Sequence, residues 1–164
     1  MFFTSDNASG AAPQIMAALQ AANAGYARSY GADALMDRVR AQLREVFEAP
    51  EAAVYLVATG TIANSLCLAL GCPPWGAVFC HEHAHVAEDE CGAPEFYTHG
   101  AKLALVAGDH GKMTPETLRK ALGAVGASGV HGVQRGMLTV TNVTEAGTGH
   151  TPPQRAARPQ PMKE

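Results

Sequence analysis

YLVATGTIANSLCLALG, residues 55–71, is an apolar run, a Thr-Gly-Thr junction and a second apolar run. Val54 to Ala58 reads as a buried strand, and Ile62 to Leu70 as a helix that Gly71 ends. A strand leading directly into a helix is the repeating unit of open parallel sheets. Two readings fit Thr59-Gly60-Thr61. In one, a threonine caps the helix on a short connection. In the other, the unpaired N–H groups at the positive end of the helix dipole bind an anion, phosphate above all. Glycine then lets the backbone approach, and the threonines add hydroxyls. The motif is neither GxGxxG nor a Walker loop, so it does not indicate a nucleotide.

The pattern continues on both sides of the junction. "APQIMAALQAANAG" (12–25) predicts a helix, with Pro13 in its first turn and Gly25 after its last. "ADALMDRVRAQLREVFEAP" (32–50) predicts a second, capped by Asp33. Its apolar face is Leu35, Val39, Leu43, Val46 and Phe47. Strands follow at 76–82, 102–108 and 136–143, with a helical turn at 85–92. A helix at 114–126 has Thr114 as N-cap and Pro115 at its first position. Strands separated by helices of this length imply crossover units and an α/β fold with a mostly parallel sheet and flanking helices. Residues 149–164 hold four prolines and Met162 as the one large aliphatic residue. They read as a disordered tail behind a body at 1–148.

Hydrophobic residues make up 47% of the 164 and charged residues 16%, enough apolar material for a core. A formal net charge of −3 gives no basic field for nucleic acid. No run approaches the roughly 18 apolar residues of a membrane span. The expected protein is soluble and cytoplasmic, with no nucleic acid or membrane partner. Cys67, Cys72, Cys80 and Cys91 form no CxxC pair and read as reduced, packed thiols.

The densest polar cluster is "CHEHAHVAEDECGAPEF" (80–96). His81, His83 and His85 alternate, and on a strand they would share a face as metal ligands do. No Asp completes a hydrolase-type HxHxDH pattern. The other readings are one functional histidine beyond a strand end, where open α/β sheets gather ligands, or histidines on an exposed loop. Ser5, in "FFTSDNASG" (2–10), fits ordinary capping. Tyr30, in "RSYGADA" (28–34), fits a turn with a packed tyrosine. Thr144 and Glu145, at the end of the last strand, are placed to face a cleft.

In order, "SDNASG", "YGAD", "ATGTIANSLCLAL", "HAHVAEDECGAPEF", "GKMTPETL" and "TNVTEAGT" resemble the low-specificity threonine aldolases. These are pyridoxal phosphate enzymes related to the β-eliminating lyases. The resemblance runs from about Phe3 to Thr148. It implies the N-terminal part of the large domain of the aspartate-aminotransferase-like fold (PLP fold type I). It also implies a homo-oligomer, dimer or tetramer, acting on a small amino acid substrate. Gly60 and Thr61 would hold the cofactor phosphate. His85 would stack on the pyridine ring and act as a base, with Glu90 close to it. Ser5 and Tyr30 would lie on the substrate side, no metal is called for, and Thr144 stands where other branches carry a histidine. L-threonine or L-allo-threonine would be cleaved to glycine and acetaldehyde.

The family's Asp under the pyridine nitrogen, its Arg and its Schiff-base Lys lie beyond "TEAGT", and Lys102, Lys112, Lys120 and Lys163 match neither their order nor their context. The expectation is a fragment inactive alone. The alternatives are a non-catalytic anion- or partner-binding module, or one half of a split enzyme. Relatives continue after "TEAGT" with text like "VYTPAE", which a two-base shift in reading frame relates to His150–Arg155. A frameshift is therefore a hypothesis that the downstream DNA tests.

Overall fold

The structure, a computed structural model, describes residues 8–156. Its contacts divide the chain into two units, Met1–Tyr55 and Leu56–Glu164. The first holds two helices, α1 (Pro13–Ala22) and α2 (Ala34–Val46). Pro13 opens α1, as its fixed φ and missing N–H favour. Asp33 caps α2 by accepting the Met36 N–H at 3.0 Å. Of the face predicted for α2, Val39 and Leu43 are half-buried beside the buried Met36, whereas Leu35, Val46 and Phe47 are exposed.

The second unit opens with the sharpest departure from the sequence reading. Residues 54–58 form no strand. Tyr55, Leu56 and Val57 are exposed, and no described segment pairs with them. An apolar run becomes a strand only when a neighbour takes its backbone N–H and C=O groups. Here the sheet is built elsewhere. Helix α3 (Gly60–Gly71) starts and stops where the sequence places it. Then come β1 (Gly76–His81), α4 (His85–Glu88), α5 (Ala93–Tyr97), β2 (Lys102–Val106), α6 (Pro115–Ala124) and β3 (Gln134–Leu138). The last helix is α7 (Pro152–Ala156), in the stretch read from sequence as a tail. Gln154 Oε1 accepts from Thr151 N–H, and Thr151 Oγ1 from Gln154 N–H, a reciprocal cap at its start.

The sheet has the order β2-β1-β3, parallel throughout. Each connection carries helices across a face, as parallel neighbours require. Central β1 is buried along its whole length, which its continuous apolar run demands. Val78 packs with Leu68 and Cys72 of the α3 side, together with Ala101. Ala77 and Phe79 point the other way, into a cluster with Val106 and Leu118 of α6. Helix α3 lies against α5. The pairing of β1 with β3 shifts between Ala77 and Val78, which face Arg135 and Met137, so Gly136 is the extra residue of a bulge. The predicted cap of α6 is present in full: Thr114 Oγ1 accepts from Thr117 N–H and Thr117 Oγ1 from Thr114 N–H. Of the cysteines, Cys72 and Cys80 are packed as expected, but Cys67 and Cys91 are exposed. Cys67 sits on a helix apolar nearly all round, yet only one side of that helix is covered.

Candidate functional site

The turn after β1 and the start of α3 supply the candidate site. Thr59 is the N-cap of α3, its Oγ1 accepting from Ile62 N–H at 3.3 Å. The first intrahelical bond runs from Ala63 N–H to Thr59 O at 3.2 Å. The N–H groups of Gly60 and Thr61 precede it and have no partner within the helix. Nothing lies within 4 Å of where a Gly60 Cβ would stand. Both sequence readings of the junction are therefore compatible here: the threonine caps, and the glycine leaves donors open at the positive helix end.

The three alternating histidines separate into three environments. The strand ends at His81, so they do not share a strand face. His81 is buried; its Nε2 lies 2.9 Å from Gly108 O, and its Nδ1 accepts from His83 N–H at 3.0 Å. That pair of contacts puts the proton on Nε2 and makes His81 a post beneath the turn. His83 is exposed and meets Glu88 Oε1 at 2.8 Å, which pushes its pKa up. His85 opens α4, and its Nδ1 lies 3.0 Å from Glu90 Oε1. A carboxylate only accepts, so Nδ1–H donates, and in the neutral ring Nε2 keeps its lone pair. Among the described residues, no three His, Cys, Asp or Glu side chains group as a metal site would need.

Glu90 is 2% exposed. Its Oε1 also accepts from Asn64 Nδ2, at 2.6 Å, while Oε2 is buried without a partner among the described residues. Asn64 belongs to α3, three positions beyond Thr61, a rise of about 4.5 Å along the axis. The chain Asn64–Glu90–His85 thus ties the half-exposed imidazole to the helix that carries Gly60 and Thr61. The sequence reading does not single out Asn64; its signal is an amide in a largely apolar helix, on the face of Thr61.

Thr144 and Glu145 take no part in this chain of contacts. Tyr30 is in the first unit with φ 58° and is 101% exposed, so the packed-tyrosine reading of its turn fails. Ser5 lies outside the described residues. Thr144 is buried, its Oγ1 donating to His110 O at 3.3 Å and sharing a 2.8 Å contact with Thr148 Oγ1. It presses on Gly111, where φ is +76° and a Cβ would come within 2.8 Å of Thr144 Cβ; only glycine meets both conditions. Glu145 is exposed.

A family profile for β-eliminating lyases matches residues 3–158. The chain belongs to the β-eliminating lyase family. It is 40% identical over 162 residues to a low specificity L-threonine aldolase of Pseudomonas aeruginosa, covering 99% of this chain and 46% of that protein. It is 38% identical to the same enzyme of a Pseudomonas species, with the same coverage. The solved structure of Leishmania major threonine aldolase matches with a TM-score of 0.85 at 27% identity, over 93% of this chain and 43% of that one. The chain thus spans about half the length of the curated relatives it matches. The expected α/β fold with a parallel sheet and flanking helices is the one observed. No helix among the described residues is long and apolar enough to cross a membrane.

Proposed function

We propose that these residues form the phosphate-holding and ring-stacking part of a cytoplasmic, pyridoxal-phosphate-dependent aldehyde lyase that cleaves L-threonine or L-allo-threonine to glycine and acetaldehyde. The observation that carries the reading is the chain Asn64–Glu90–His85, which joins an imidazole plate to an open helix N-terminus. The donor set suits the cofactor. Two free N–H groups and the Thr61 hydroxyl at the positive end of a helix match a phosphate dianion. A half-exposed imidazole braced by a buried carboxylate offers a flat face to an aromatic ring. Pyridoxal phosphate, when bound, supplies the electron sink that carbon–carbon cleavage requires.

The residues of this chain would do the rest. Gly60 and Thr61 fix the phosphate. His85 lies against the ring and, with Nδ1–H committed to Glu90, keeps Nε2 as acceptor for the substrate hydroxyl proton. Ser5 and Tyr30 are proposed on the substrate side, and the active assembly is proposed to be a homo-oligomer. Residues 1–164 match neither the Schiff-base lysine nor the aspartate under the ring nitrogen, and by themselves they are expected not to turn over. Electrostatic groups of that kind are worth about 10²–10³ in rate each. A second reading is one half of a split enzyme. A C-terminal fragment of a full-length relative, added to the chain, distinguishes it by restoring activity.

The test is equilibrium dialysis of pyridoxal phosphate against the purified chain. Reversible binding is expected, weakened at least about tenfold by His85→Ala, with no glycine formed from threonine above the rate of free cofactor. Binding indifferent to both His85→Ala and Gly60→Pro would refute the site. Threonine cleavage by the chain alone, lost in His85→Ala, would refute the inactivity.

A further inference from the structure

We infer that Asn64 is a positioning residue for His85: its amide pins the buried Glu90 carboxylate, and the pinned carboxylate fixes which ring nitrogen of His85 carries the proton. The inference rests on the reading of His85 as the functional histidine and adds a residue to it.

The argument starts with Glu90. Its side chain has no solvent access, so every donor to it must come from the protein. Two are present, Asn64 Nδ2 at 2.6 Å and His85 Nδ1 at 3.0 Å, both on Oε1. Oε2 has none among the described residues. Removing the amide leaves a buried carboxylate with one donor, and that donor is the ring it is meant to hold. The His85 side chain is 43% exposed, so packing covers only part of the ring. Its orientation therefore depends on the hydrogen bond, and the tautomer depends on the orientation.

Asn64 contributes through this contact and not through packing. It is exposed, while the buried positions of α3 are Ser65 and Leu68. Its orientation is unambiguous, since a carboxylate accepts only and the NH₂ end of the amide must face it. The same helix presents Gly60 and Thr61 at its start. One rigid element thus sets both the anion donors and the brace of the imidazole plate.

The test reads the ring nitrogens of His85 by long-range ¹H–¹⁵N correlation in the uniformly labelled chain, without cofactor. His81 is an internal reference in the same spectrum, because Gly108 O and His83 N–H hold it in the Nε2–H form. The wild-type chain is expected to show His85 as Nδ1–H. In Asn64→Ala that population should fall about 2- to 10-fold, as it should in Glu90→Ala, with His81 unchanged. Asn64→Gln, which keeps an amide donor, should restore much of it. Should the His81 signal be lost in Asn64→Ala, Asn64→Leu carries the same test, since it keeps a similar volume and removes the donor. An unchanged His85 tautomer in a folded Asn64→Ala or Asn64→Leu chain overturns the inference. Failure to bind pyridoxal phosphate would overturn the functional reading separately, because the ring signals are read in its absence.

Discussion

Replacing Gly108 by alanine tests how the turn that carries His85 is supported. Gly108 has φ −179°, extended backbone that any residue adopts, so space and not conformation excludes a side chain. A Cβ there would lie 1.9 Å from Lys112 O and 2.8 Å from the Lys112 carbonyl carbon. Both groups are backbone, so no side chain can swing aside, and the two segments must part by about 1.5 Å to reach normal contact. Gly108 O is also the acceptor for His81 Nε2. Parting the segments therefore threatens the one contact that satisfies that nitrogen of a buried imidazole. Overpacking costs about 1–3 kcal/mol. A buried donor left unpaired costs about 1–3 kcal/mol more. The expected total, about 2–6 kcal/mol, is a large share of the 5–15 kcal/mol that typically holds a domain together. Urea unfolding followed by circular dichroism measures it, with Gly60→Ala as control, because nothing lies within 4 Å of a Cβ at that position. A Gly108→Ala chain less than about 1 kcal/mol weaker than wild type, with the His81 Nε2–H signal intact, would refute the reasoning.

Thiol reactivity should divide the four cysteines in two. Burial pushes the Cys80 thiol up to about 11, with the charge of Glu95 adding to it, and burial also raises Cys72. A thiol reagent at about pH 8 should label Cys67 and Cys91 quickly and the other pair only on unfolding; fast labelling of Cys80 in the folded chain contradicts its burial. His83 should titrate above its ordinary 6.5 because Glu88 accepts its proton-bearing nitrogen, and Glu88→Gln should return it there. A raised folded-state pKa stabilises the fold below 6.5, and that gain fades as pH rises through the folded value. Since both partners are exposed, the gain should be small and should shrink further in salt; a His83 midpoint unmoved by Glu88→Gln removes the pairing.

What the sequence disclosed was whatever short-range chemistry decides. Thr59, Asp33 and Thr114 announce their helices because a side-chain oxygen bonds a backbone N–H only three residues on. The central strand announces itself by an apolar run buried on both faces. Residues 54–58 carry the same apolar signal and form no strand, because pairing is a property of the neighbour and not of the run. Helix α5 was not foreseen, although Pro94 at its start was a readable sign. The candidate site was half legible. Resemblance marked Gly60, Thr61, His85 and Glu90, but the amide that links them comes from 26 residues away along the chain, and no local pattern encodes that distance. The three histidines looked alike in sequence and differ in the fold because one ends a strand, one lies in a turn and one begins a helix.

The bulge at Gly136 constrains how this fold can drift. A Cβ on Gly136 would come within 2.5 Å of Cys72 Sγ, and a Cβ on Gly76 within 2.6 Å of the same sulfur. Two adjacent strands have therefore given up their side chains to seat one sulfur atom from the end of α3. A lineage cannot alter these three positions in any order. Enlarging either glycine first collides with the sulfur, at a cost of about 1–3 kcal/mol, whereas shrinking Cys72 first opens a small void. A later alanine could use that void more readily at Gly76, where the next contact is Pro73 O at 3.0 Å, than at Gly136, where Ala77 O stands at 2.9 Å. The path, more than the end point, determines which combinations descendants can carry.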